Sequence, residues 1–413
     1  MLRQCLCFML LISACQSLSA ADPRILDYKV HAEAIHQELS PDFCWFHPRV
    51  TALPGYGKEG VPAVIVTTQK HLAASDHYSG LYVLRTDDLG QTWTGPTAIP
   101  ELAWRTAPND ITVAVIDVTP GWHQKTGTLI AIGAKTLYTA GGGILRNTER
   151  SYETSYAVFD PKANSWTKWR ELEMPDTGTK FFGAGSGCSQ WLVQPDGSLL
   201  VPIQYYSQPG GRWSATMVQC SFDGTNLKYL KHGDELAVEG GYGFAEPSLI
   251  AVNNNYYLTL RHEQRAYVTT SQNGLQFAPV KTWTFDDGKD LGNYNTQTHW
   301  LAHQDGLFLV YTRRGANNDH VTWNRAPLFI AQVDPDKLHV IRRTEQILLP
   351  DRGVMFGNFG TAAITARESW VTDAELISHL IDPGAGHKPH PRGADGTIWL
   401  GRVQWSKPNR LLD

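Results

Sequence analysis

The sequence predicts an all-β protein assembled from repeated small sheets, as in a β-propeller. Aromatic residues make up 11% of the 413 residues, with 37 Gly and 23 Pro, and only 18% are charged. This composition is typical of short strands joined by many turns. After the N-terminal segment, apolar residues do not recur every 3.6 positions over any long stretch. Amphipathic helices packed on a core would show such a repeat. Short β-rich runs recur instead: Ala63–Thr67, Leu81–Leu84, Thr128–Ile132, Tyr156–Phe159, Ser198–Ile203, Tyr256–Leu260, Leu307–Tyr311, Leu328–Val333, Ser369–Val371 and Thr397–Trp405.

Turn signals separate many of these runs. An Asp-Gly or Asn-Gly pair between two β-rich runs is typical of a hairpin, because these residues adopt the backbone angles of the tightest turns. Five such pairs are present: Asp196-Gly197, Asp223-Gly224, Asn273-Gly274, Asp305-Gly306 and Asp395-Gly396.

One turn carries a specific motif. The octet TDDLGQTW at 86–93 fits the Asp-box pattern Ser/Thr-x-Asp-x-Gly-x-Thr-Trp, a fold marker of β-propellers. We expect Asp88 to accept hydrogen bonds from turn N–H groups, Gly90 to take a positive φ, and Trp93 to pack across the sheet. Weaker copies occur at 270–277, 221–224 and 158–166. This imperfect repetition predicts a propeller and a structural role for Asp88.

The N-terminal segment 1–21 indicates export. Arg3 precedes an apolar stretch that is too short to span a bilayer, and Ser19-Ala20-Ala21 offers a small-residue cleavage site. The sequence around Cys15 also resembles a lipobox, so secretion and lipid anchoring both stay open, with a periplasmic or extracellular location. No long linker divides the remaining chain. We therefore expect a single propeller domain over 27–406, in which the last strand closes the ring by pairing in the first or last blade.

Charge and cysteine content exclude several classes of function. The net charge of −4 gives no electrostatic reason to expect a nucleic-acid or anionic-membrane partner. Neither HExxH nor clustered Cys/His spacing occurs, so no metal or other cofactor is expected, although a loop Ca²⁺ stays open. After cleavage three distant cysteines remain, Cys44, Cys188 and Cys220, which leave one pair open but make no disulfide framework.

The order of several motifs resembles the sialidase (neuraminidase) family, which has a six-bladed propeller. The resemblance covers most of the mature chain, by motif order more than by identity. Its elements are Phe46–Leu53 in the place of the family's Arg-Ile-Pro motif, Asp76 before the first turn, Gly185-Ser186-Gly187 followed by Asp196–Pro202 and two tyrosines, Glu246–Leu249 with Arg261 and the second Asp-box copy, and Tyr311-Thr312 followed by Trp323–Ala326.

This resemblance implies a site for an acidic terminal sugar. Three arginines from different blades, Arg49, Arg261 and Arg325, would hold the sugar carboxylate, because guanidinium groups are permanently charged forked donors. Further roles follow by the same resemblance: Asp76 as acid/base, Glu246 as second carboxylate, Glu375 orienting Arg49, and Tyr205, Tyr206 and His47 contacting substrate.

The chain departs from the family at the nucleophile. The family attacks with a tyrosine from the last blade, an exception to the two-carboxylate rule, but 355–361 contains only Phe356 and Phe359 as aromatics. Tyr242, Tyr205 or Tyr206 would have to replace it. The leading hypothesis is an exported exo-α-sialidase-type glycoside hydrolase. The alternatives are a propeller polysaccharide lyase or hydrolase acting on uronic-acid glycans and a non-catalytic glycan-binding propeller.

Overall fold

A computed structural model describes residues 25–72, 76–146, 148, 150–356, 358–377 and 388–412. The predicted export segment 1–21, with Cys15, lies outside the described residues. Within these ranges the chain forms 28 β-strands and five short 3₁₀ helices. None of the helices in the described part is long and apolar enough to cross a membrane.

In chain order the strands are β1 (Tyr28–Gln37), β2 (Phe43–Leu53), β3 (Ala63–Leu72), β4 (Tyr82–Thr86), β5 (Thr94–Ala98), β6 (Arg105–Ala107), β7 (Ile111–His123), β8 (Thr128–Tyr138), β9 (Tyr152–Asp160), β10 (Ser165–Trp166), β11 (Arg170–Glu171), β12 (Gly183–Gly185), β13 (Leu192–Val193), β14 (Leu199–Tyr206), β15 (Ser214–Phe222), β16 (Leu227–His232), β17 (Ala245–Val252), β18 (Asn255–Arg261), β19 (Tyr267–Ser271), β20 (Lys281–Thr282), β21 (His299–His303), β22 (Gly306–Tyr311), β23 (Leu328–Asp334), β24 (His339–Val340), β25 (Gln346–Leu349), β26 (Gly360–Thr365), β27 (Glu368–Ala374) and β28 (Thr397–Trp405). The 3₁₀ helices are Lys58–Gly60, Pro100–Leu102, Thr322–Asn324, Arg342–Thr344 and Arg410–Leu412.

The predicted all-β class is confirmed, and the sheets have a propeller arrangement. Each of the ten β-rich runs lies on a strand, because their alternating and β-branched residues pack well on a pleated surface. Four sheets are separate, with the strand orders β2-β3-β4-β5, β17-β18-β19-β20, β21-β22-β23-β24 with β25 beside β23, and β1-β28-β27-β26.

The fifth sheet is larger. It holds eleven strands, from β6 to β16, and its two halves are joined by one parallel pair in which Ala184 lies opposite Glu153. The described strands therefore form five sheets, and the expected number of six blades is not confirmed.

The chain termini meet in one sheet. Strand β28 lies between β27 and β1, with Tyr28 opposite Trp405 and Ala32 opposite Gly401. The N-terminal strand thus completes the C-terminal sheet, which is the closure that a propeller requires.

Further hydrogen bonds join neighbouring sheets and, in the first case below, two parts of the eleven-stranded sheet. They join Cys188 N–H to the Asp117 carbonyl (3.0 Å), Leu249 N–H to Gln190 (2.8 Å), the Thr361 hydroxyl to Trp300 (2.9 Å) and the Thr372 hydroxyl to Pro48 (2.7 Å). Between the sheets lie buried aromatic side chains, among them Trp283, Trp300 and Trp370. Cys44, Cys188 and Cys220 are also buried, and all three are free thiols.

The turn between β4 and β5 has the geometry expected from its octet. The Asp88 carboxylate accepts the Thr92 N–H (2.8 Å) and the Thr92 hydroxyl (2.6 Å), and it pairs with Lys58 (2.7 Å). The Lys58 and Thr92 hydrogen bonds hold the pKa of Asp88 well below its ordinary value. Gly90 has a φ of +85°, and the ring of Trp93 lies 6.2 Å from that of Trp370 in the neighbouring sheet. These contacts give Asp88 a structural role.

Candidate functional site

The site is built from residues with an unusual backbone. His47, Asp117, Cys188, Glu246 and Asn295 all have left-handed φ angles, of 51°, 58°, 52°, 45° and 49°. Three of them lie where the registers of β2, β7 and β17 shift. A bulge redirects a side chain out of the regular alternation of a strand. Side chains of different sheets therefore meet at the axis, and backbone strain of this kind clusters at functional sites.

Arg261 is the centre of the best-defined hydrogen-bond network. Its guanidinium donates to the Glu246 carboxylate (2.6 Å), the Tyr242 hydroxyl (3.0 Å) and the Asn295 side-chain oxygen (3.0 Å). The Arg261 and Glu246 side chains are only 18% and 14% exposed. Burial alone would lower the Arg261 pKa, but the Glu246 carboxylate raises it by more than burial lowers it. The pKa is therefore above its ordinary value, and the guanidinium is charged.

Arg325 approaches the same asparagine from another sheet. It follows the 3₁₀ helix at 322–324, donates to the Asn295 carbonyl, and stacks over the Trp323 ring at 4.8 Å. Within the described chain it has no carboxylate partner, and its buried Nε has no hydrogen-bond partner. Burial and the nearby Arg261 charge lower the Arg325 pKa to about 10, so it too is charged at neutral pH. Two guanidinium groups thus meet beside one carboxylate.

Arg49 takes different partners from the two other arginines. It is fully buried and donates to Gln297 (2.8 Å) and to Nε2 of His299 (3.0 Å). Arg261 and Arg325 thus share Asn295, whereas Arg49 contacts Gln297 and His299. Since the bulge in β2 lies at His47, that residue points toward Asp117 (3.0 Å) while Arg49 packs against β21.

Glu375 pairs with a different arginine from the one expected. Its carboxylate accepts the N–H groups of Asp395 (2.8 Å), Gly396 (3.1 Å) and Thr397 (3.1 Å) and pairs with Arg352 (3.0 Å). The Asp-Gly turn before β28 wraps around Glu375, so it orients this turn and not Arg49.

Asp76 lies at the rim of the site. It is exposed, has a φ of +52°, and accepts a hydrogen bond from the Tyr78 hydroxyl (3.3 Å), with Arg146 3.7 Å away. The Tyr78 ring lies 4.6 Å from that of His47. Tyr78 therefore contacts both Asp76 at the rim and His47 at the bulge of β2.

The predicted substrate contacts are separated by the structure. The Tyr205 hydroxyl donates to Glu235 (2.5 Å), and its ring packs 4.9 Å from Phe181 inside an apolar cluster. The Tyr206 hydroxyl donates to the Arg146 carbonyl (2.9 Å), next to the rim at Asp76. His47 is only 2% exposed.

Sequence reasoning did not identify Tyr152 and Gln204. The Gln204 amide donates to the Tyr152 hydroxyl (3.1 Å) and accepts the Glu246 N–H (2.6 Å). A Cβ at Gly185 or Gly187 would approach Tyr152 to 2.5 or 2.9 Å. The Gly-rich run noted in the sequence therefore makes room for Tyr152, and this run was the available signal. Burial raises the Tyr152 pKa well above its ordinary value, so the hydroxyl is protonated.

Asn358 occupies the stretch where a nucleophilic tyrosine was sought. Its amide contacts His47 and lies 4.0 Å from the Cys188 sulfur. Phe356 and Phe359 are buried.

The fold is shared with sialidases of known structure. No protein-family model matches the chain, and a search of curated proteins finds no match. Among solved structures, a protein of unknown function from Dyadobacter fermentans is 14% identical, with a TM-score of 0.62 over 91% of this chain and 99% of that one. The Trypanosoma rangeli sialidase is 13% identical, with a TM-score of 0.57 over 91% of this chain and 59% of that one. A Hadza microbial sialidase is 13% identical, with a TM-score of 0.59 over 88% and 66%. The Trypanosoma enzyme has also been solved with sialic acid. Our chain spans less than two thirds of the length of these sialidases, and the likeness shows the fold alone.

Proposed function

We propose that this chain is an exported, six-bladed, sialidase-like glycoside hydrolase that holds the carboxylate of an acidic terminal sugar between Arg261 and Arg325. In this proposal the single parallel pair at Ala184 and Glu153 marks the boundary between two blades of the eleven-stranded sheet, which together with the four separate sheets would make six. The structural likeness to sialidases supports this architecture.

The observation that carries the proposal is the charge balance around Asn295. Arg261 and Arg325 both donate to this residue, while Glu246 alone supplies a carboxylate to the pair. Buried like charges are costly unless an opposite charge compensates them. A ligand carboxylate would neutralise the second guanidinium and satisfy the free Arg325 Nε, and forked donors suit such a ligand.

Asp76 and Tyr242 are the groups we assign to the chemistry. Asp76, exposed at the rim, would protonate the leaving oxygen as a general acid. Burial raises the Tyr242 pKa above its ordinary value, and the Arg261 guanidinium, which donates to the Tyr242 hydroxyl, offsets part of this rise. Tyr242 would attack the anomeric carbon in place of the family's tyrosine, with Glu246 accepting its proton.

A second candidate reaction is β-elimination on a uronic-acid glycan. It is favoured by the absence of tyrosine from 355–361. The arginine pair would neutralise the uronate carboxylate, and Tyr242 would abstract the neighbouring proton. This reaction creates a double bond with ultraviolet absorbance, whereas hydrolysis does not.

The test is turnover of a fluorogenic α-sialoside by the wild type, Asp76→Asn and Arg325→Gln, with folding verified by circular dichroism. We expect Asp76→Asn to lower kcat by about 10²–10⁴-fold, the usual contribution of a general acid, and Arg325→Gln to raise KM. Asp305→Asn, at an exposed hairpin turn, serves as the control that leaves activity unchanged.

Two results would contradict hydrolysis, and a third would contradict the role of Asp76. A folded, inert wild type that releases an ultraviolet-absorbing product from uronic-acid polysaccharide indicates the lyase. Saturable binding of sialic acid without turnover indicates a binding module. Full activity in Asp76→Asn removes Asp76 from the mechanism.

A further inference from the structure

A second cluster at the axis is separate from the arginine pair. It consists of His47, Asp117 and Cys188, which come from three different parts of the ring. Nε2 of His47 lies 3.0 Å from a carboxylate oxygen of Asp117, and the nitrogen, oxygen and sulfur atoms all lie within 4.8 Å of one another. We propose that these three side chains bind a divalent transition-metal ion of the zinc class.

Contacts within the protein leave this cluster incompletely satisfied. The Nδ1 atom of His47 is buried without a hydrogen-bond partner, and Cys188 is buried and in no disulfide. The Cys188 thiol bonds to Asp117, and the Asn358 amide contacts Nε2 of His47, so an ion would replace these contacts. All three residues have left-handed φ angles that non-glycine residues rarely adopt. Three chain segments therefore each adopt an unfavourable backbone conformation, and each contributes one donor atom to the cluster.

The donor set selects the class of metal. Imidazole, thiolate and carboxylate together suit zinc and similar transition metals, whereas Ca²⁺ and Mg²⁺ prefer oxygen ligands alone. Tetrahedral coordination at zinc bond lengths places ligand atoms about 3.6 Å apart. The cluster reaches that spacing with side-chain shifts of roughly 1 Å.

Charge also permits an ion here. When the Cys188 thiol releases its proton, a thiolate and a carboxylate balance the two charges of a divalent ion. The loaded site is therefore neutral beside buried Arg49, which donates to Thr119, two residues after Asp117, at 3.4 Å. Asp117 is the most exposed of the three side chains, at 18%. The fourth coordination position therefore lies on the Asp117 side, open to the site, as in zinc centres with three protein ligands.

This inference goes beyond the proposed hydrolase function and does not depend on it, since metal binding is measured without turnover. Co²⁺ is the probe, because a cobalt–thiolate bond produces a charge-transfer band. The full-length protein is first treated with chelator and then titrated with Co²⁺. We expect one equivalent to bind with a charge-transfer band and Zn²⁺ to displace it.

Cys188→Ser should abolish the band. Cys220→Ser, which removes another fully buried free thiol, should retain it. His47→Gln should weaken Co²⁺ binding by more than about 100-fold, above the range for loss of an outer-shell partner.

The proposal is overturned if the wild type gives no band, if Cys188→Ser keeps it, or if Cys220→Ser loses it. If Cys188→Ser does not fold, Asp117→Asn and His47→Gln decide the question. Unchanged Co²⁺ affinity in both of these folded variants also overturns the proposal.

Discussion

Replacing Glu246 by Gln should weaken the fold and at the same time strengthen anion binding. The Arg261–Glu246 contact is 2.6 Å, and its two side chains are 18% and 14% exposed. At this distance in an effective dielectric of 20, the Coulomb attraction is about 6 kcal/mol. Desolvation offsets part of that attraction, and removing one partner of a buried pair costs about 3–5 kcal/mol. Glutamine keeps one hydrogen bond, so we expect a loss near the lower end, about 3 kcal/mol.

The expected loss is measurable as a melting temperature. With an unfolding entropy of about 2.1 cal/mol/K per residue over 413 residues, 3 kcal/mol corresponds to a fall in Tm of about 3–4 °C. The Arg313–Glu345 pair provides a matched control. It has a contact of 2.7 Å and exposures of 14% and 13%. Glu345→Gln should lower Tm by a similar amount.

At one fixed sialic acid concentration, Glu246→Gln should recover more Tm than Glu345→Gln, because both sites bind the ligand but the site without Glu246 binds it more tightly. Without Glu246, two buried guanidinium groups lack a carboxylate, and the ligand supplies one. At a free concentration 100 times Kd, the ligand stabilises the folded state by about 2.7 kcal/mol, or about 3 °C here on the same entropy scale. Differential scanning fluorimetry with sialic acid and with its methyl ester, which lacks the charge, measures this. Equal recovery in both variants, or equal recovery with the ester, would refute the charge argument.

Three further predictions concern stability. Burial and the Arg49 charge hold the pKa of His299 well below 6.5, so the folded protein excludes a proton that the unfolded chain binds. Stability should therefore be fully present above pH 6.5 and fall by about 1.4 kcal/mol per pH unit below it, and His299→Gln should flatten this part of a denaturant-midpoint curve. Gly360→Ala places a Cβ 2.7 Å from the Arg49 Cα and should lower the free energy of unfolding by about 1–3 kcal/mol. The control Gly141→Ala, where the nearest neighbour is 3.9 Å away, should change this free energy little. Similar urea midpoints for the two variants would contradict the effect of the close contact. Asp88→Ala removes the acceptor of the Thr92 N–H and should speed amide exchange in that turn, whereas unchanged exchange would contradict its structural role.

Much of the fold was predictable because its signals are local. The Asp-Gly and Asn-Gly pairs lie at turns or strand starts, and Asp88 bonds to residues two and four positions away. Turn chemistry and alternation along a strand depend on near neighbours, so one sequence shows them. The division into sheets was less accessible, since the link between Ala184 and Glu153 joins separate strands through a single pair.

The site was predictable only in part. The motif order indicated Glu246, Arg261 and Arg325 together, and the structure places them around Asn295. The motif order did not show the partners of Arg49, because they depend on the bulge at His47 in β2. A bulge inserts one extra residue into a strand, and this changes the alternation of apolar and polar residues too little for the bulge to be identified from one sequence.

The sequence by itself determined the all-β class, the positions of ten β-rich runs and the turn chemistry, because these follow from contacts between residues a few positions apart. Only the tertiary structure decided which side chains share the axis. His47, Asp117 and Cys188 are far apart in sequence and meet because separate sheets pack in a ring and three backbones turn into the left-handed region. Ring closure is a sum of many inter-sheet contacts, and no local stretch of sequence encodes that sum.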